Sequence, residues 1–244
     1  MDKKTIIVVG AGQGLGNHVA ERFGREGYRV VLMARNAASL DQYEKRLTAD
    51  GIEAHTHIAD AAHPETLTEA IIWAKQQFGT PDVLYYNVGI TAADDPKEMC
   101  SEELMRHFQV DVASAYHCVR LVADDEFAAK RGAIFMTGGG LADYPTAQFI
   151  PLSIDKAAIR ALAIALHDEL KPRGIHVGTL TVFGSIGIDN YMSPARMAET
   201  VWQMNQQRDV CELKYEYPDM QDGALTAAEY WTKVYALAEK YRQG

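Results

Sequence analysis

The sequence predicts an α/β domain, a doubly wound parallel sheet of about seven strands with helices on both faces. Three observations predict it. Short apolar runs rich in Val and Ile alternate with stretches of helical periodicity along the 244 residues, the pattern of βα units whose strands run parallel. The first strand is a continuous apolar run rather than an alternation, as expected of a strand covered on both faces. No Pro/Gly/Ser-rich linker, internal repeat or low-complexity stretch divides the chain. Residues 1–244 are therefore expected to form one domain, long enough to bury a sizeable core.

The elements follow in order. Thr5 to Val9 is the first strand, and it stops at Gly10-Ala11-Gly12-Gln13-Gly14-Leu15-Gly16 before a helix expected from Asn17 to Glu26. Glycines there let the chain turn tightly and bring its backbone close to an anionic group, while the helix that follows offers free N–H groups and a positive dipole end. That is the physics of a dinucleotide phosphate site. The spacing is G-x-x-x-G-x-G at Gly10, Gly14 and Gly16, because Leu15 stands where a GxGxxG pattern beginning at Gly10 needs its third glycine. Arg29 to Met33 is the second strand, followed by Ala34-Arg35-Asn36 and a helix from Ser39 to Ala49. A carboxylate at this strand end would hold the ribose 2′-OH of NAD, whereas an arginine meets the 2′-phosphate of NADP. Ala34 and Arg35 therefore favour NADP(H) over NAD(H), unless Arg35 is an ordinary solvated arginine.

Glu53 to Ile58 alternates as a third strand ending near Asp60-Ala61, and Asp60 stands where it could accept from an adenine amino group or cap the next helix. His55 and His57 share one face of that strand but lack a third ligand, so no metal site is expected. A helix from Pro64 to Phe78, a fourth strand from Asp82 to Tyr86, and the turn Asn87-Val88-Gly89 come next. One long helix is expected from Ser101 to about Ala129, with Asp111 and Tyr116 near its middle. Gly132 to Thr137 is a fifth strand broken by Gly138-Gly139-Gly140, and helical spacing runs from Ser153 to Lys171-Pro172. Ile175 to Val182 and Val210 to Lys214 complete the strands, with helices from Pro194 to Gln207 and Thr226 to Arg242.

The net charge of −9, from 33 acidic and 24 basic residues, argues against nucleic acid or an anionic membrane surface as partner. The first strand begins almost at Met1 and no apolar run approaches membrane-spanning length, so a cytoplasmic protein is expected. Cys100, Cys118 and Cys211 are widely separated and read as reduced thiols.

Taken together, Gly10, Gly14, Gly16, Ala34-Arg35, Asp60-Ala61, Asn87-x-Gly89 and Lys156 resemble the short-chain dehydrogenases/reductases in order and interval, over nearly the whole chain to about residue 184. The resemblance implies a Rossmann-like fold with a nicotinamide dinucleotide as partner. It assigns the pyrophosphate to the glycine turn with Gly12, Gln13 and Leu15, adenine to Asp60 and Ala61, the cofactor wall to Asn87, Val88 and Gly89, and the nicotinamide ribose to Lys156. It also implies a homodimer or homotetramer through the long helices carrying Asp111 and Lys156.

The departures fall on the catalytic half. Leu152 stands at the family's tyrosine, Gly139 at its serine, Asp111 at its asparagine, and Phe183-Gly184 at its Pro-Gly; of the catalytic set only Lys156 survives. Gln13 replaces the second basic residue that many NADP-using members carry. Three readings follow: a reductase with a substitute acid, for which Tyr144 heads a group that includes Asp143, Thr146, Ser153 and Ser185; an NADP(H)-binding redox sensor or scaffold without turnover; or an interaction module with a vestigial site. Residues 185–244 depart from the family, and their aromatic residues, including Tyr191, Trp202, Tyr215, Tyr217, Tyr230 and Trp231, either pack a core or face an apolar or aromatic carbonyl substrate.

Overall fold

A computed structural model describes residues 3–93, 95–220 and 225–242. Seven strands form one sheet in the order β3-β2-β1-β4-β5-β6-β7, every neighbouring pair parallel. They are β1 Thr5–Val9, β2 Arg29–Ala34, β3 Ala54–Ile58, β4 Val83–Tyr86, β5 Ala133–Gly139, β6 His176–Val182 and β7 Glu212–Tyr215. The continuous apolar run of β1 is explained by its register. Ile6 and Val8 enter one core cluster, while Ile7 and Val9 enter the other on the opposite face of the sheet. All four are buried, as a central parallel strand requires.

Helices α1 (Leu15–Arg25), α2 (Ala37–Ala49), α8 (Pro194–Gln207) and α9 (Ala227–Arg242) supply residues to the first cluster, and α3 (Pro64–Phe78), α5 (Ser114–Val122), α6 (Asp125–Ala129) and α7 (Ile150–Leu170) to the second. Strand order reverses between β1 and β4, which opens a crevice beyond their carboxyl ends where ligands of such sheets bind. Among the described residues no helix is long and apolar enough to cross a membrane.

Several boundaries differ from expectation for local reasons. Helix α1 starts at Leu15, directly after Gly14, and α7 starts at Ile150 with Pro151 in its first turn, where a missing N–H costs nothing. The single helix expected from Ser101 to Ala129 is corrected most. It is α4 (Ser101–Phe108), a wide π turn (Gln109–Ala113), α5, a break at Ala123 and Asp124, and then α6. The break follows from Asp124, whose carboxylate accepts the Phe127 N–H at 2.8 Å and starts a new helix. The π turn frees the Val110 carbonyl, which accepts the buried Tyr86 hydroxyl at 2.5 Å. Strand β7 occupies 212–215 rather than 210–214, since its first pairing with β6 is Thr179 with Glu212.

One buried histidine sets an acid limit on this fold. His176 packs against the Phe135 ring and its Nε2 has no hydrogen-bond partner among the described residues. Burial, helped by His167, pushes its pKa from 6.5 to about 4. The unfolded chain therefore takes up this proton first. The stability that neutral His176 confers is complete above pH 6.5 and is lost as pH falls through 4, amounting to about 2 kcal/mol. Thermal melts of the protein and of His176→Leu across that window check this; equal losses in both would refute it.

Candidate active site

The glycine turn divides into two kinds of position. Gly10 has φ +91°, and a Cβ there would lie 2.8 Å from backbone atoms of Asn87 and Val88. A Cβ on Gly16 would overlap the Gly10 carbonyl oxygen. These two glycines let β1, α1 and the turn after β4 touch. Gly12 and Gly14 differ, because a Cβ on either meets nothing within 4 Å. Gln13 and Gly14 are exposed, Leu15 is buried in the core against the sheet, and no side chain caps the start of α1. The first N–H groups of that helix, next to the bare Cα of Gly14, are thus left to an anion.

From this turn a groove of about 600 Å³ runs past Arg35, Asp60 and Ala61 to Asn87, Val88 and Gly89. Among the described residues Arg35 has no salt bridge, so its guanidinium is available to the groove. Asp60 accepts the Ala62 N–H at 2.9 Å through one carboxylate oxygen; the helix cap position falls to His63 instead. Asn36, Ser39, Tyr43 and Arg106 also line the groove, none of which the motif pattern singles out. Asn36 caps α2 by accepting the Ser39 N–H at 2.9 Å, a signal readable from Asn-x-x-Ser before an apolar period. His55 and His57 face Phe78 and Trp73 instead, on β3.

At the far end, a polar network ties three strand ends together. Asn87 donates from Nδ2 to the Gly10 carbonyl at 3.1 Å and accepts the Thr137 hydroxyl at 2.7 Å, and the Tyr85 hydroxyl lies 2.7 Å from the same Thr137 oxygen. The Thr137 carbonyl accepts Lys156 Nζ at 2.9 Å. Lys156 is buried on α7, with its alkyl chain against Gly139, where a Cβ would come within 3.1 Å of Lys156 Cγ. Across Gly89 lies the buried Asp111 carboxylate, held by the Ile90 N–H at 3.0 and 3.2 Å. Burial lowers the Lys156 pKa, opposed by Asp111 and Asp155; burial raises that of Asp111, opposed by Lys156 and the Ile90 hydrogen bonds. Each charge favours the ionised form of its partner, and burial outweighs that effect in both.

The remaining candidates are dispersed. Leu152, one turn before Lys156, is buried and carries no donor. The Tyr144 ring stacks on Tyr230 at 3.7 Å with an angle of 8° and meets Phe183 edge-on, while its carbonyl accepts Trp231 Nε1 at 2.8 Å. Asp143 pairs with Lys214 at 2.7 Å, Ser153 donates to the Phe149 carbonyl at 2.6 Å, and Ser185 is exposed. The structure brings together the glycine turn, Arg35, Asp60, Asn87, Gly89, Asp111 and Lys156.

The short chain dehydrogenase family pattern matches residues 4–184. The chain is 27% identical over 175 residues to a diacetyl reductase [(S)-acetoin forming] of Staphylococcus epidermidis, covering 71% of this chain and 68% of that protein. A short-chain dehydrogenase structure from Rhodopseudomonas palustris superposes with a TM-score of 0.78 at 25% identity, covering 88% of this chain and 98% of that one. An alcohol dehydrogenase of Thermococcus sibiricus complexed with 5-hydroxy-NADP has the same fold, with a TM-score of 0.79 at 21% identity and coverage of 90% and 100%. The chain belongs to the short-chain dehydrogenase/reductase family.

Proposed function

We propose that this chain is an NADP(H)-binding oxidoreductase of the short-chain type that lacks the hydroxyl proton donor on which the family's turnover rests. The observation that carries the reading is an asymmetry. The groove beside Gly12 and Arg35 is open and lined for a dinucleotide, and Gly14 lies exposed at the uncapped start of α1, whereas Leu152 and Gly139 offer only hydrocarbon beside Lys156. The residues fit the nucleotide: the uncapped start of α1 receives the pyrophosphate, Asp60 and Ala61 the adenine, Arg35 the 2′-phosphate and Lys156 the nicotinamide ribose. When bound, the nucleotide supplies or takes a hydride. The protein's part is to hold it, to keep water from Lys156, and to place a charge near the acceptor oxygen. Losing a positioned general acid costs roughly 10²–10⁴ in rate. A redox sensor or scaffold is the limiting case in which turnover vanishes.

Fluorescence titration with NADPH and NADH, followed by a screen of small carbonyls, tests this. Tight NADPH binding with slow turnover supports it, absence of binding refutes it, and brisk turnover refutes the missing donor. Arg35→Ser is expected to weaken NADPH by about 10- to 100-fold, the worth of a charge-assisted phosphate contact, and to leave NADH nearly unchanged; equal losses for both nucleotides would remove the NADP assignment.

For the substrate we infer a small apolar or aromatic carbonyl, held on the side of residues 185–220 and 225–242, where half-buried Tyr144 lies over the core-packed Phe183 and Tyr230 rings. Exposed Tyr116 on α5 and Ile154 and Ile164 on α7 support a homodimer or homotetramer through these helices, which sedimentation velocity would report.

A further inference from the structure

Arg106 lines the groove, and the proposed site gives it no task. It stands on α4 four residues before Val110 of the π turn, and both residues line the groove from that segment. Its guanidinium is pinned: Nε and Nη2 donate to the two carboxylate oxygens of Glu103 at 3.0 and 2.5 Å. Such a fork fixes the plane of the group and occupies one edge of it. The two faces stay outside the pair, and the side chain remains 49% exposed.

Arg35 and Arg106 thus bring two different kinds of arginine to one groove. Arg35 has no salt bridge among the described residues, so its charge is uncompensated and suits a phosphate. The charge of Arg106 is balanced by Glu103, whose carboxylate would repel a phosphate brought to the same spot. What Arg106 still offers is a flat, weakly hydrated face, the feature by which a guanidinium stacks on an aromatic ring. Among the described residues the surrounding lining has no other free surface of that kind. Tyr43 packs against the first core cluster, Asn36 and Asn87 are engaged in hydrogen bonds, and Ala61, Ala62 and Val110 are aliphatic.

We propose that Arg106, held flat by Glu103, stacks on the adenine ring of the bound nucleotide. Asp60 and Ala61 meet the edge of the base, and Arg106 covers its face. Because Glu103 already fixes the guanidinium plane, little side-chain freedom is lost when the base arrives, which favours binding. Arg106 is on this view a binding residue for the base rather than for a phosphate, and its assignment rests on the nucleotide-site reading above.

The test is titration of the full chain with 2′,5′-ADP, the adenosine half of the cofactor, and with NADPH. Arg106→Lys keeps the charge but has neither the plane nor the fork, and is expected to weaken both ligands by the same factor, about tenfold. Glu103→Gln, which loosens the guanidinium, should weaken both as well. Melting temperatures without ligand should match the unaltered chain, since both side chains are exposed. Full affinity in Arg106→Lys overturns the proposal, because charge alone would then serve, as in a phosphate contact. Tighter binding in Glu103→Gln does so too, since it reports a cation released towards phosphate. A loss confined to NADPH overturns it by placing Arg106 beside the nicotinamide half. If the unaltered chain binds neither ligand, the nucleotide-site reading itself fails, an outcome distinct from binding that is indifferent to Arg106.

Discussion

Leu152→Tyr is expected to raise the rate of carbonyl reduction with NADPH by about 10²-fold or more, the worth of a positioned general acid. Leu152 and Lys156 lie four residues apart on α7, so their side chains share one face of the helix. Both are buried, and among the described residues Leu152 belongs to neither core cluster. A phenol at this position would therefore not hollow out packed core. It would stand beside an ammonium, which favours the phenolate and so lowers the tyrosine pKa towards the working range. Adding Gly139→Ser is expected to contribute less. Its Cβ would lie 3.1 Å from Lys156 Cγ and 3.3 Å from Cδ, so the lysine chain must shift by a few tenths of an ångström as the hydroxyl arrives. The measurement is kcat/KM for a small aromatic aldehyde with NADPH, with Lys156→Met in the Leu152→Tyr background as control. A folded, NADPH-binding Leu152→Tyr protein with no gain would show that the reactive ring does not lie beside position 152.

The fold was legible because strand burial writes itself directly into composition. Thr5–Val9, Arg29–Ala34 and Val83–Tyr86 are near-continuous apolar runs, and each is buried on both faces. The glycine turn was legible for a similar reason: a positive φ at Gly10 and a backbone contact at Gly16 admit no other residue. The break-up of the 101–129 segment was less so. Nothing in the apolar period from Ser101 to Val122 signals the π turn, and the Tyr86 hydroxyl that its Val110 carbonyl accepts arrives from another element. Only Asp124 carried a local sign, as a capping residue within a helical pattern.

The same distinction holds at the site. Motif intervals pick out Gly14, Asn87 and Lys156 but not Thr137, because its role is to offer a carbonyl to Lys156 and a hydroxyl to Asn87 from a neighbouring strand. Asp111 is picked out in the sequence only by its place in the resemblance, with no partner readable along the chain. Its meaning depends on Lys156, which arrives from α7 across Gly89.

Gly16→Ala and Gly14→Ala are expected to separate what the glycine turn does for folding from what it does for binding. A methyl group at position 16 overlaps the Gly10 carbonyl oxygen and comes 3.1 Å from Asn87 Nδ2. The Gly10 oxygen is fixed in turn, since it accepts hydrogen bonds from Gly12 N at 2.9 Å and Asn87 Nδ2 at 3.1 Å. The nearest atom is backbone, and Asn87 Nδ2 is itself tied to that oxygen, so α1 must move away from β1. Overpacking of this kind costs about 3 kcal/mol or more, which for a chain of this length lowers the melting temperature by roughly 6–12 °C. At position 14 the added methyl meets nothing within 4 Å. Stability should change by about 0.5 kcal/mol, the scale of a helix-cap substitution. The methyl nevertheless fills the space by which an anion reaches the first free N–H groups of α1, so NADPH affinity should fall by about tenfold or more as the phosphate is held off the helix. Thermal melts and NADPH titrations on both variants check this, and a Gly14→Ala protein of full NADPH affinity would place the phosphates elsewhere than on this turn. The physical basis of the contrast is that one glycine is required by a contact already made within the chain, and the other by a contact that only a ligand can make.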